Sequence, residues 1–143
     1  MAQDDLVIDP WGSAQSTDYD RIIDQFGLTS MERVELRSPS KLHRRGIVFA
    51  HRDVDQVLEA QRTGNDFGVL TGLMPSGQMH LGHSMVVEQA RWFQQQGGDV
   101  TIAVADLESQ ATRGVSLSKG RSIALEEYIA HYAALGLDPE KTN

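Results

Sequence analysis

The stretch Phe67-Gly-Val-Leu-Thr-Gly-Leu73, Met74-Pro-Ser-Gly-Gln-Met79, His80-Leu-Gly-His83 decides the fold. Its first seven residues form a short apolar run rich in strand formers, and Pro75 and Gly77 end it. From Leu81 to Gln96 the apolar residues Met85, Val86, Ala90, Trp92 and Phe93 fall within one broad arc of a helix, which Gly97-Gly98 stops. Val100 to Ala105 reads as a second buried strand. A buried strand, a turn, a helix and another buried strand make one right-handed crossover of a parallel sheet, so the fold class is α/β. Further on, Ser118 is placed to cap a helix in which Leu125, Tyr128, Ile129, Tyr132 and Leu135 share a face, with Gly136 and Pro139 ending it.

Upstream the pattern changes near residue 66, giving two regions, 1–66 and 67–143. In the first, Tyr19, Ile22, Ile23 and Phe26 recur at helical spacing between an Asp18 cap and a Gly27 stop. Thr29-x-x-Glu32 has the form of a capping box for a short second helix, and Ser38-Pro39-Ser40 breaks the pattern. Gly46-Ile47-Val48-Phe49-Ala50 reads as a short strand. Asp53-x-x-Gln56 opens a helix that runs to about Arg62 and closes at Gly64.

Composition narrows the function classes. The 143 residues carry 40% hydrophobic and 23% charged residues, ordinary values for one globular domain. No apolar run approaches the roughly 20 residues of a membrane span, and the acidic start has no signal-peptide features. Cysteine is absent, which removes disulfides and thiolate metal sites and fits a cytoplasmic protein. The net charge of -7 argues against a module whose main task is gripping polyphosphate backbone. Only Lys41-Leu42-His43-Arg44-Arg45 is densely basic, and a solvated loop or strand end explains it as well as an RNA contact does. Lysine occurs only at Lys41, Lys119 and Lys141, an acid-rich, lysine-poor balance that suits a salt-loving source.

The chemistry concentrates in Thr71 to His83, between a strand and the start of a helix, where open α/β sheets bind their ligands. The first helical turn offers unpaired N–H groups and a positive dipole end, which favour phosphate. His80 and His83 share one side of that turn. Gly82 between them lets a flat ring such as adenine lie close to the backbone. Pro75 and Gly77 shape a loop that brings Ser76 toward the same ligand. Such an arrangement suits adenylyl transfer, in which a carboxylate attacks the α-phosphate of ATP and donors meet the developing charge. Two imidazoles can donate through either ring nitrogen without carrying a positive charge. Two other readings remain: the histidines are capping or surface residues, or they are metal ligands completed by His43, His51 or Asp106. Without cysteine or an H-E-x-x-H pattern, no metal site is expected. Asp106 and Glu108 follow the second strand, where they either recognise a substrate ammonium group or, respectively, cap a helix and face solvent.

These residues resemble those of a class I aminoacyl-tRNA synthetase, with His80-Leu-Gly-His83 similar to the first signature motif of that class. The likeness extends over nearly the whole chain to the tryptophanyl-tRNA synthetases of archaeal and eukaryotic type. Val7-Ile-Asp-Pro-Trp11 is similar to an N-terminal element of that family, and Asp18-Tyr-Asp-Arg-Ile-Ile with Phe26-Gly27 resembles its next helix. Arg44 to Asp53, leading to Gln56-Val-Leu, separates it from the tyrosine-specific relatives. The resemblance implies the first half of a Rossmann-like sheet behind a small, mostly helical N-terminal region. It implies that tryptophan and ATP give tryptophanyl-adenylate and pyrophosphate, and that tryptophan then passes to tRNA(Trp). It implies Mg2+ with the ATP, no protein-held structural metal, no membrane, and a homodimer at full length. Carried over by position, His80 and His83 contact the phosphates, Gly82 the adenine face, and Thr71, Gly72, Met74, Pro75, Ser76 and Gly77 the rest of the nucleotide. Leu70, Ala103 and Glu108 fall where the family contacts its amino acid.

The chain departs from the family at three positions: Leu70, Leu73 and Ala103 stand where many members have tyrosine, arginine and glutamine. An indole N–H left without an acceptor would cost about 1–3 kcal/mol. The second class signature, a mobile lysine loop, is expected beyond Asn143. Leu117-Ser-Lys-Gly-Arg-Ser122 resembles it superficially but precedes a helix. The chain is therefore expected to be an N-terminal portion of a longer enzyme, weakly active or inactive alone. The alternatives are a tyrosyl-tRNA synthetase fragment and a non-catalytic synthetase-like paralogue.

Overall fold

A computed structural model describes residues 18–143. The Val7–Trp11 resemblance lies outside the described residues. The chain divides into two compact units, the first ending at Gln56 and the second running from Val57 to Asn143.

In the first unit, α1 (Tyr19–Phe26) starts where the Asp18 carboxylate accepts the Arg21 N–H at 3.0 Å. It ends at Gly27, whose φ of 59° is a left-handed position that costs glycine nothing. β1 (Thr29–Ser30) pairs antiparallel with β2 (Ala50–His51). The expected Thr29 capping box does not form, because Thr29 is held in β1. Ser30 instead caps a short 3-10 turn, Met31–Arg33, accepting the Glu32 N–H at 3.3 Å. The basic stretch is α2 (Lys41–Arg44), capped by Ser40, and not a loop or strand end. The expected strand at Gly46–Ala50 shortens to β2. The Leu42 carbonyl accepts the N–H groups of Ile47 (2.9 Å) and Val48 (3.4 Å), so those donors close α2 and are lost to a ladder. α3 (Val54–Thr63), most of which belongs to the second unit, ends near Gly64 as expected, but His51 Nδ1 accepts its first N–H, while Asp53 sits at a φ of 59°.

The second unit holds β3 (Gly68–Leu73), α4 (Leu81–Gln95) and β4 (Asp99–Val104), with the strands parallel and in register from Gly68↔Asp99 to Leu73↔Val104. This bears out the strand–helix–strand reading. After β4 come α5 (Asp106–Arg113), α6 (Leu117–Ile123), a π-helical stretch (Ala124–Tyr128) and α7 (Ile129–Ala134). At the chain's end Thr142 forms a parallel bridge with Val100, and Asn143 exchanges hydrogen bonds with Val100 and Ile102. Leu73, Val87, Ala90, Val100, Ile102, Tyr128, Tyr132 and Leu137 form the core.

Four expectations about this unit are corrected. The buried arc of α4 is centred on Val87, Ala90 and Trp92, with Val86 37% exposed, a rotation of about one residue. Ser116, not Ser118, caps the helix after α5, accepting the Lys119 N–H. On that helix Leu125 and Ile129 are exposed, and the buried positions are Gly120, Ala124, Tyr128 and Tyr132. A spacing of four is longer than an α-turn, and the i→i+5 bonds of the π-stretch underwind the helix enough to keep one line facing the sheet. The strands are also not buried on both sides. Val69, Val100, Ile102 and Leu73 turn inward, while Gly68, Leu70, Gly72, Asp99, Thr101 and Ala103 form an exposed face.

Candidate nucleotide site

The carboxyl ends of β3 and β4 open onto the loop that leads into α4. Pro75 in that loop is fully buried and Ser76 is exposed. Two side chains hold the loop from beneath. The Ser109 hydroxyl, itself fully buried on α5, donates to the Pro75 carbonyl at 3.1 Å. The Tyr128 hydroxyl donates to the Met74 carbonyl at 3.1 Å, and the Ser76 N–H donates to the same carbonyl at 2.8 Å. Burial, then the neighbouring Glu127 charge, push the Tyr128 phenol above its ordinary value, with the nearby Ser76 backbone N–H acting the other way.

At the start of α4 the paired histidines form a reciprocal cap. His80 Nδ1 accepts the Gly82 N–H at 3.2 Å, and His83 Nδ1 accepts the His80 N–H at 3.2 Å. Their ring centroids are 4.0 Å apart. The capping reading is thus correct, and it fixes the chemistry of the other nitrogen. A ring whose Nδ1 accepts carries its proton on Nε2 when neutral, so each imidazole keeps one N–H to donate away from the cap. Burial, and next the proximity of His80, lower the His83 pKa below its ordinary 6.5 and keep that ring neutral. The cap also accounts for Gly82. A Cβ there would lie 3.1 Å from His80 Cε1 and 3.2 Å from Nδ1, tight enough to push the ring from its hydrogen bond.

The other anticipated residues distribute around this turn. Thr71 is half-buried on β3, with Gly72 beside it on the open face; Gly77 lies in the loop after Ser76. Leu70, 77% exposed, and Ala103 share that open face, Leu70 opposite Thr101 and Ala103 opposite Gly72. Asp106 and Glu108 occupy the first turn of α5, at the carboxyl end of β4. Asp106 Oδ1 accepts the Leu107 N–H at 2.8 Å, and Glu108 is exposed. Ser118 and Lys119 lie within α6. Among the described residues no three His, Asp or Glu side chains come together as a metal cage. No described helix is long and apolar enough to cross a membrane. A cavity of about 540 Å³ in the first unit and one of about 250 Å³ beside β4 and α7 are not lined by either histidine of the cap. Sequence reasoning missed Ser109 and read Tyr128 only as core; nothing in their spacing separates a brace from a packing residue.

Residues 61–143 match the family of class I tRNA synthetases (W and Y). The tryptophan--tRNA ligase of Methanosarcina acetivorans is 44% identical over 95% of the chain, which spans 32% of that relative. The enzyme of the same name from Aeropyrum pernix is 46% identical over 94% of the chain, with 38% of its own length covered. The crystal structure of the Aeropyrum pernix tryptophanyl-tRNA synthetase superposes with a TM-score of 0.83, covering 95% of this chain and 39% of that one. The chain thus spans about a third of the length of these curated relatives. With a parallel strand–loop–helix unit, a His-Leu-Gly-His cap at its mouth and a family match over more than half its residues, the chain belongs to the class I tRNA synthetases of the W and Y family.

Proposed function

We propose that this chain is the ATP-binding, amino-acid-activating part of a tryptophan--tRNA ligase. The observation that carries the reading is the reciprocal histidine cap. It leaves two neutral Nε2–H donors beside a helix N-terminus, at the carboxyl ends of parallel strands. ATP enters as its Mg2+ complex, and the tryptophan carboxylate attacks the α-phosphorus. The P–O bond to pyrophosphate breaks, leaving tryptophanyl-adenylate, whose acyl group passes to the terminal ribose of tRNA(Trp) with release of AMP. No protein nucleophile is required. The histidine N–H groups and the helix terminus stabilise charge as it builds on the phosphates.

The remaining roles follow position. Gly82 lies against the adenine, and Thr71 to Gly77 follow the nucleotide. Asp106 and Glu108 attract the substrate ammonium, while Leu70 and Ala103 line the indole side. Residues 67–143 are the nucleotide-binding part and 1–66 an extension of it. The complete protein works in the cytoplasm as a homodimer, without a structural metal. The relatives' names support tryptophan; with apolar side chains at Leu70 and Ala103, either the indole N–H finds its acceptor elsewhere, the substrate differs, or the chain belongs to a variant branch of the family. Pyrophosphate exchange in a full-length version, with tryptophan and tyrosine compared, tests the assignment; exchange with tyrosine alone would overturn it. The 143-residue chain by itself is expected to bind ATP weakly and to exchange pyrophosphate poorly. A rate equal to that of a complete synthetase would contradict that expectation.

A further inference from the structure

The loop between β3 and α4 belongs to no helix or strand, yet its placement sets where Ser76 and the histidine pair meet a ligand. Its backbone is gripped at consecutive residues by groups from another part of the chain. The Tyr128 phenol donates to the Met74 carbonyl, which also accepts the Ser76 N–H at 2.8 Å, so the hydroxyl anchors the turn that places Ser76. The Tyr128 ring stands 5.6 Å from that of His83, tilted by 58°. One fully buried side chain thus contacts both halves of the site, the loop through its hydroxyl and the helix cap through its ring. It reaches them from the last residue of a π-helical stretch, and such stretches interrupt otherwise regular helices mostly at functional positions. Without the underwinding, the line Gly120–Ala124–Tyr128–Tyr132 would drift around the helix and the phenol would miss the loop.

We propose that Tyr128 is a positioning residue for nucleotide binding, fixing the Met74–Ser76 loop through its hydroxyl and packing its ring beside that of His83. This rests on the nucleotide reading of the site. The hydroxyl does a separate job from the ring, so the two can be removed one at a time. Ser109, bonded to the Pro75 carbonyl between them, is the second brace on the same three residues. Two braces on one loop are expected to be coupled, so that losing both costs less than the product of losing each.

The test uses the 143-residue chain with Tyr128→Phe, Ser109→Ala and the double variant. ATP and adenosine are titrated calorimetrically, and the Ser76 amide is followed by hydrogen exchange. Tyr128→Phe keeps the ring and is expected to keep the fold. The expected result is about a tenfold loss of ATP affinity, little change for adenosine, faster exchange at Ser76, and a less than multiplicative effect in the double variant. A merely structural tyrosine would weaken both ligands alike or neither. Wild-type ATP affinity and unchanged Ser76 exchange in Tyr128→Phe would overturn the assignment, as would equal losses for ATP and adenosine. A wild-type chain that takes up no ATP, although Tyr128→Phe still frees the Ser76 amide, would overturn the nucleotide reading and with it the role proposed here, leaving only the brace.

Discussion

His83 accepts the backbone N–H of His80 through Nδ1 at 3.2 Å, which ties the cap of α4 to the protonation state of one ring. The bond forms only while Nδ1 is unprotonated, so cap and donor are two consequences of a single tautomer. His83→Asn keeps an acceptor near the Nδ1 position and loses the Nε2–H. It is expected to hold wild-type stability to within about 0.5 kcal/mol while ATP affinity falls about tenfold. His83→Ala loses both functions and is expected to cost about 1 kcal/mol of stability as well. Thermal unfolding with calorimetric ATP titration separates the two. An alanine variant as stable as the asparagine one would refute the capping role.

Acid should act on the same bond. Burial lowers the folded pKa of His83, and that of His43 in α2, below the ordinary 6.5. The unfolded chain therefore takes up protons first as the pH falls. The stability linked to these groups is complete above about pH 6.5 and is lost as the pH drops through the lower folded values. Protonation also places a hydrogen on Nδ1 and a positive charge at the positive end of a helix. Urea denaturation between pH 5 and pH 8 is expected to show the midpoint declining below about pH 6.5. In a doubly substituted His43→Asn, His83→Asn chain the decline should shrink; an undiminished decline would assign it to other groups.

The strand pair offers a sharper contrast between neighbours. Leu70 is 77% exposed on the open face, whereas Val100, on the partner strand's inward face, is fully buried. Leu70→Ser is expected to change stability by less than about 0.5 kcal/mol. Val100→Ala should cost about 1–3 kcal/mol through lost burial and the space left behind. Denaturant midpoints of the two variants decide this, and a larger loss for Leu70→Ser would mean that the open face is covered in solution.

These strands also show where the sequence was legible. The order strand, loop, helix, strand followed from apolar runs punctuated by Pro75, Gly77 and Gly97, and both strands appear within a residue of their expected limits. The histidine pair stood out because its spacing and its loop are visible locally. What could not be read depended on hydrogen bonds between distant residues or on small changes of phase. Gly46–Val48 looks like a strand until the His43 and Leu42 carbonyls take its donors. Leu125 and Ile129 look buried until a π-stretch rotates the helix beneath them. Tyr128 looks like core because it is core, and its hydroxyl contact with Met74, 54 positions earlier, leaves no trace in local pattern.

Tyr132 lies one turn beyond Tyr128, 6.3 Å away between ring centroids, and the two hydroxyls differ in kind. The Tyr128 hydroxyl donates to the Met74 carbonyl, whereas the buried Tyr132 hydroxyl has no hydrogen-bond partner among the described residues. An unmade bond at a buried oxygen carries a desolvation cost of about 1–3 kcal/mol, so Tyr132→Phe is expected to be neutral or stabilising. Burial, and next the neighbouring Tyr128, push the Tyr132 pKa up to about 12 from the ordinary 10. A raised folded pKa means that the unfolded chain gives up its proton first, so the linked stability is complete below pH 10 and is lost as the pH rises through about 12. Thermal unfolding at neutral pH and near pH 11 should therefore show Tyr132→Phe at or above the wild type, with its advantage growing at the higher pH. A variant less stable than the wild type at both would mean that the hydroxyl has a partner and that the same helix line carries two bonded tyrosines.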